Sequence, residues 1–149
     1  MKKKNIVISS RNLGLLIFLF LTSFFTIRSF KEVNLYDLFV EGDEFITKKH
    51  LIDNSSLVLP TKLIFIKTRY LEKELKENLS LKNISINRRL IPFQLKIYLQ
   101  TRIPLAYAES NKLDRKVYGY VDSEGIFIPK EFASIKEKYI YPIKIIGWK

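Results

Sequence analysis

The chain has no cysteine, one histidine and only five glycines in 149 residues. Without cysteine there is no disulfide framework, no thiolate nucleophile and no thiolate metal site. Ser-His-Asp chemistry would have to use His50, and no G-x-S-x-G elbow accompanies it. A metal would have to be held by carboxylates alone, and none cluster at ligand spacing. His50 itself reads as a surface residue of a short helix. The sequence therefore predicts a protein that is not an enzyme, with no catalytic residue, cofactor, metal or small-molecule substrate. It acts by contact.

Charge is missing from one place in particular. Leu13 to Ile27 carries no ionisable side chain, while Lys2, Lys3, Lys4 and Arg11 precede it. The run is slightly shorter than the roughly 20 residues that cross a bilayer, and flanking Arg11 and Arg28 can snorkel to the headgroups. A secretory signal shares this basic-then-apolar pattern but ends in small residues. Here the run ends Phe24-Phe25-Thr26-Ile27-Arg28, which favours an uncleaved anchor. Leu13, Leu16, Phe18, Phe20, Phe24 and Ile27 are its candidate lipid-facing residues. The bias of basic residues to the N-terminal side puts that end in the cytoplasm and the rest outside.

The net charge of +11 raises the question of nucleic acid. Residues 1–31 hold six basic side chains and no acid, so 11 less 6 leaves +5 for the remainder. There the signs are mixed, as in Glu72-Lys73-Glu74, and no basic helix is interleaved with aromatics. The expectation is a solvated surface and no nucleic acid.

Beyond the anchor the pattern is mixed. Leu35 to Val40 reads as a strand stopped at Gly42. Thr47 caps a short helix carrying Leu51 and Ile52, ending near Asn54. Thr68 opens a second, with Leu71 and Leu75 on one face and Glu72/Lys76 and Lys73/Glu77 as i,i+4 pairs on the other. Asn83 to Asn87 and Phe93 to Gln100 alternate as strands, joined by a loop that contains Pro92. A hairpin with its turn at Asp122 to Gly125 follows. Strand, helix, helix, strand, strand predicts an α+β fold, a small sheet with both helices on one face.

These residues resemble the FtsQ-type POTRA domain of bacterial FtsQ/DivIB division proteins. The likeness rests on one N-terminal anchor, then Leu38-x-Val40-x-Gly42. It continues through Arg88-Arg89-x-x-Pro92-x-x-Leu95-x-Ile97-x-Leu99-x-Thr101-Arg102-x-Pro104-x-Ala106, Val121-Asp122-x-x-Gly125 and Ile146-Gly147. Thr101 stands where the family usually has an acidic residue, which leaves Arg102 without that local partner. The resemblance implies a basic head (1–11), a transmembrane anchor (12–30), a POTRA domain with a mixed β-α-α-β-β sheet (33–106), and the start of a β-rich domain (107–149). In the family that second domain is larger, so the chain is expected to be truncated there.

The resemblance further implies a single-pass plasma-membrane scaffold at the division septum, its POTRA domain extracytoplasmic. Its partners would be other division proteins, small coiled-coil proteins of the FtsL and FtsB/DivIC kind among them. Their binding site in the family lies largely toward the far end of the second domain, so weak or absent binding is expected here. The alternative is a POTRA-type chaperone or docking module for polypeptide transport across the envelope. Gly42, Arg88, Pro92, Arg102, Pro104, Asp122 and Gly125 are the motif residues and possible partner contacts. Each also has a structural reading: Gly42 as a turn glycine, Arg102 and Pro104 as setting the strand exit. Tyr118 and Tyr120 form either an exposed aromatic patch or a face for packing.

Overall fold

The computed structural model describes residues 10–43, 45–112, 115–133 and 144–148. The apolar run forms helix α1 (Ser10–Ser29), whose 20 residues would be about 30 Å long. The hydroxyls of Thr22, Thr26 and Ser29 donate to the carbonyls of Leu19, Thr22 and Phe25 at 2.8–3.0 Å. The helix thus satisfies these three hydroxyl donors internally, as suits an apolar surround. None of the span Asn12–Ser29 is buried by the rest of the protein, and by length and composition it is able to cross a membrane.

A two-residue ribbon follows, β1 (Glu32–Val33) pairing later with β3 (Thr61–Lys62). Between β1 and β2 (Leu38–Gly42) the chain makes a 3-10 turn over Leu35–Asp37. The strand expected from Leu35 therefore begins three residues late. The cause is local: the Asp37 carboxylate accepts the Asn34 N–H at 2.9 Å and closes a turn where an extended chain was expected.

Helix α2 (Lys48–Asp53) begins as expected, with the Thr47 hydroxyl accepting the His50 N–H at 3.4 Å and His50 Nδ1 accepting the Thr47 N–H. His50 thus closes the cap of its helix, and its ring stands edge-on to Phe132, 6.2 Å between centroids. Helix α3 (Thr68–Asn78) starts one residue earlier than a Thr68 cap implies, with Lys67 in the cap position. Neither expected i,i+4 ion pair forms on it. Glu72 instead accepts the backbone N–H of Ile86 at 2.6 Å. Glu74 takes the Ser56 N–H and hydroxyl at 2.9 and 2.8 Å.

Strands β4 (Asn83–Arg89) and β5 (Gln94–Gln100) complete a three-stranded mixed sheet in the order β2-β5-β4. β2 runs parallel to β5 with Leu38 opposite Leu95 and Val40 opposite Ile97, and β4 runs antiparallel with Ile86 also opposite Ile97. Leu95, Ile97 and Leu99 are fully buried in one core with Leu51 of α2 and Leu71 and Leu75 of α3. Both helices therefore cover the same face. Gln100 and Tyr98 point away to solvent.

A second sheet has the order β8-β7-β6-β9, built from β6 (Ala106–Lys112), β7 (Arg115–Val121), β8 (Phe127–Pro129) and β9 (Lys144–Trp148). Only β6 and β9 are parallel in it. The β7–β8 turn is the one expected, closed by Gly125 N–H to the Asp122 carbonyl and Asp122 N–H to the Ile126 carbonyl, both at 3.1 Å.

Adjacent positions of β5 should respond oppositely to the same change. Burying a side chain such as Ile97 or Leu99 is worth roughly 1.5–3 kcal/mol, and aspartate there adds an unpaired buried charge. Against a total stability of about 5–15 kcal/mol, Ile97→Asp or Leu99→Asp should abolish the cooperative melt of the detergent-solubilised chain. Gln100→Asp should shift it by no more than a surface change does, about 0.5 kcal/mol. Lys96 is unsuitable as the control because it pairs with Glu41 at 2.7 Å. Comparable melting of the Leu99 and Gln100 variants would contradict this register.

Candidate interaction surfaces

The motif residues do not converge on one site. They divide between the two ends of the three-stranded sheet, separated by the length of β5. Seven residues at about 3.3 Å each put those ends roughly 20 Å apart. Arg88 and Pro92 lie at the end near α1. The Arg88 guanidinium donates to the Ile64 carbonyl at 3.2 Å and is exposed, and Pro92 is exposed in the β4–β5 turn after a cis Ile91–Pro92 bond.

Gly42 lies at the far end, with φ of +123°, opposite Leu99. A Cβ there would strike the Leu99 carbonyl, so the close approach of β2 to β5 needs glycine. Just beyond it, the Thr101 hydroxyl donates to the Asp43 carboxylate. Thr101 thus ties the exit of β5 to the exit of β2.

Arg102 follows, and the structure gives it partners twenty residues downstream. Its Nη1 donates to Asp122 at 2.5 Å and to Glu124 at 2.8 Å. Asp122 is buried, and its other oxygen accepts the N–H groups of Glu124 and Ile126 at 2.9 and 2.8 Å. Gly125, with φ of +76°, supplies the left-handed position of that turn. Pro104 is buried between this junction and β6 in the sequence. Arg102, Asp122 and Gly125 therefore form one unit joining the first sheet to the second. The acidic partner missing at position 101 is supplied by the hairpin turn. Position 122 could not have been read from local spacing, because the pairing depends on the turn geometry.

Burial works against the Asp122 charge, but the Ile126 N–H, the Arg102 guanidinium and the Glu124 N–H outweigh it and hold the carboxyl below its ordinary value. Burial likewise opposes the Arg102 charge, yet Glu124 and Asp122 raise its pKa.

Two surfaces remain open. On the sheet face opposite the helices, Phe39 and Tyr98 are about half exposed, with the Lys96 ammonium 5.8 Å from the Phe39 ring centroid. The two sheet edges differ. β4 has its outward Ile86 N–H capped by Glu72, whereas among the described residues no strand pairs with the outer edge of β2. The tyrosine pair is smaller than expected: Tyr120 is buried, and only Tyr118 is exposed, stacked on Tyr107 at 6.4 Å. The anchor residues Leu13, Leu16, Phe18, Phe20 and Ile27 are all exposed on α1, and Phe24 is partly covered by Arg28, 5.2 Å from its ring centroid.

The junction predicts an acid-sensitive fold. Asp122 binds its proton less tightly when folded than when unfolded. Its contribution is therefore complete above the ordinary carboxylate value of about 3.8 and fades as pH falls through the depressed folded value. Melting temperature measured from pH 6 down to pH 2 should fall more steeply for the native chain than for Asp122→Asn, which starts lower. Arg102→Ala leaves Asp122 buried without its cation and should cost about 3 kcal/mol or more. Glu124→Ala, at a largely exposed carboxylate, should cost less than about 1 kcal/mol. Equal losses at 102 and 124 would mean that Asp122 is not the principal partner.

Residues 34–102 match the family described as POTRA domain, FtsQ-type. The match runs from the turn before β2 to Arg102, and so takes in the whole three-stranded sheet and both of its helices. No curated protein matches the chain. With its mixed sheet and its two helices on one face, the segment that follows the apolar helix is a POTRA domain of the FtsQ type, which supports a cell-division-related protein of the FtsQ/DivIB kind.

Proposed function

We propose that the protein is a single-pass membrane scaffold of the bacterial division machinery. In this reading residues 1–11 are a cytoplasmic basic head and residues 12–30 the anchor. Residues 33–106 form the extracytoplasmic POTRA domain, and residues 107–149 belong to a β-rich domain that continues from it. The observation that carries the reading is the placement of an FtsQ-type POTRA domain directly after an apolar helix of spanning length. FtsQ-type POTRA domains act through protein–protein contacts, and the open edge of β2 is where an extended segment of another division protein would add. Phe39 and Tyr98 beside that edge would hold side chains of the incoming strand. Gly42 supports the contact by keeping β2 close to β5. Arg102, Pro104, Asp122 and Gly125 orient the second sheet, and Arg88 and Pro92 lie away from the β2 edge. Small coiled-coil proteins of the FtsL and FtsB/DivIC kind are among the partners this reading implies.

The absence of cysteine makes topology simple to test. Ser9→Cys and Ser123→Cys are introduced singly and intact cells are treated with a membrane-impermeant thiol reagent. Position 123 should label and position 9 should not; the reverse pattern would overturn the orientation. A fluorescent fusion should concentrate at the constricting septum. Even distribution around the membrane would count against the division role and leave the polypeptide-transport reading. Tight co-purification of the small coiled-coil proteins would place at least part of their site within residues 1–149.

A further inference from the structure

The end of the POTRA domain that faces α1 carries an unusual surface. After the helix ends at Ser29, only two residues precede β1, so the β1/β3 ribbon lies within about 10 Å of the helix end whatever the angle of the helix. The Leu63 N–H donates to the Lys31 carbonyl at 3.1 Å and continues that ribbon into a 3-10 turn over Leu63–Phe65. The turn buries Leu63 and points Ile64 and Phe65 outward, 43% and 64% exposed. The Arg88 guanidinium holds it there by the Ile64 carbonyl. Phe30, itself half exposed, meets Phe65 edge-to-face at 6.4 Å between centroids. The apolar surface of α1 therefore does not stop at the helix end. It continues onto the globular domain.

Cations border this ridge. Lys62 Nζ stands 5.9 Å from the centroid of the Phe30 ring, and Lys31 Nζ 4.5 Å from that of Phe93. Glu32 lies opposite Lys62 in the ribbon, but no ion pair of the described residues involves Lys31, Lys62 or Arg88. A crevice of about 190 Å³ opens between Ser29, Leu63, Ile64, Arg88 and Leu90, where the helix leaves the domain. Scattered exposed apolar side chains are ordinary on any protein. A continuous apolar ridge rimmed by unpaired cations, next to a helix of spanning length, fits a different surround. Aromatic and aliphatic side chains fit the headgroup boundary, and lysine and arginine fit lipid phosphates.

The geometry points to a second membrane contact: the Leu63–Phe65 turn and Phe30 seat in the headgroup layer of an anionic bilayer, with Lys31, Lys62 and Arg88 on lipid phosphates. This rests on the reading of α1 as the membrane anchor. Its consequence is that the domain is held at a fixed orientation on the membrane surface, with the Gly42 and Arg102 end directed away from it.

The full chain is reconstituted into vesicles of phosphatidylcholine and phosphatidylglycerol at seven to three, with a fluorophore on a single introduced cysteine. Ile64→Cys reports on the ridge, Tyr98→Cys on the sheet face and Leu16→Cys on the middle of α1. Each is tested for quenching by lipid spin-labelled at the headgroup, by lipid spin-labelled in the acyl chain, and by aqueous iodide. At position 64 the headgroup quencher should act several-fold more strongly than at position 98, and position 16 should respond to the acyl-chain quencher. Adding Lys31→Glu and Lys62→Glu, or omitting phosphatidylglycerol, should remove most of the headgroup quenching at position 64. An iodide-accessible position 64 together with an acyl-quenched position 16 would overturn the docking while leaving the anchor intact. An iodide-accessible position 16 would overturn the anchor itself, and the docking with it. Circular dichroism of each labelled chain confirms that it is folded.

Discussion

Both sides of strand β5 are occupied, and the rest of the domain is arranged around that fact. It takes β2 on one edge in parallel and β4 on the other in antiparallel register, while Leu95, Ile97 and Leu99 carry the core beneath two helices. The parallel pair constrains the chain most. Leu38 meets Leu95 only after the chain has crossed from one end of the sheet to the other, and parallel strands require a long connection for that return. Residues 43–82 leave and re-enter the sheet at the same end, carrying α2 and α3 over one face, and antiparallel β4 makes the return to the end where β5 begins. The Gly42–Leu99 contact closes the pair at one end and leaves no room for a side chain.

Where β5 ends, electrostatics takes over from packing. Arg102 and Asp122 form a buried pair whose gain depends on how completely each charge is satisfied. The turn supplies two backbone donors to Asp122, and the exposed Glu124 adds a second acceptor for Arg102. Arg102 Nε is the remaining buried donor without a partner among the described atoms, and this limits the net gain. The pair matters more as a geometric link than as a source of stability. It fixes the direction in which β6 leaves the first sheet.

The sequence revealed those parts of the fold whose cause is periodic or local. The alternation from Phe93 to Gln100, the Thr47 cap and the Asp122 to Gly125 turn each depend on a few adjacent residues, and each was found close to where the pattern placed it. What was hidden depends on contacts distant in sequence. Glu72 has lysine one turn away on its own helix, yet it bonds to a strand fourteen residues on, because the backbone donor there is sheltered from water and the lysine is not. β1 and β3 are two residues each and carry no period to detect. The site residues show the same division. The motif named Arg102 and Asp122 separately, and only the hairpin's position made them partners.

The Glu72 bond to the edge of β4 also determines how copies of this domain can meet. A sheet with two open edges can add neighbours at both and grow without limit. In the three-stranded sheet one outward donor of β4 is taken by the domain's own carboxylate, so backbone pairing between two such sheets favours β2 against β2. Such a contact is the same patch on both partners, is two-fold and closes on itself. A side chain on a neighbouring helix thus blunts one edge of this sheet and disfavours open-ended growth through it.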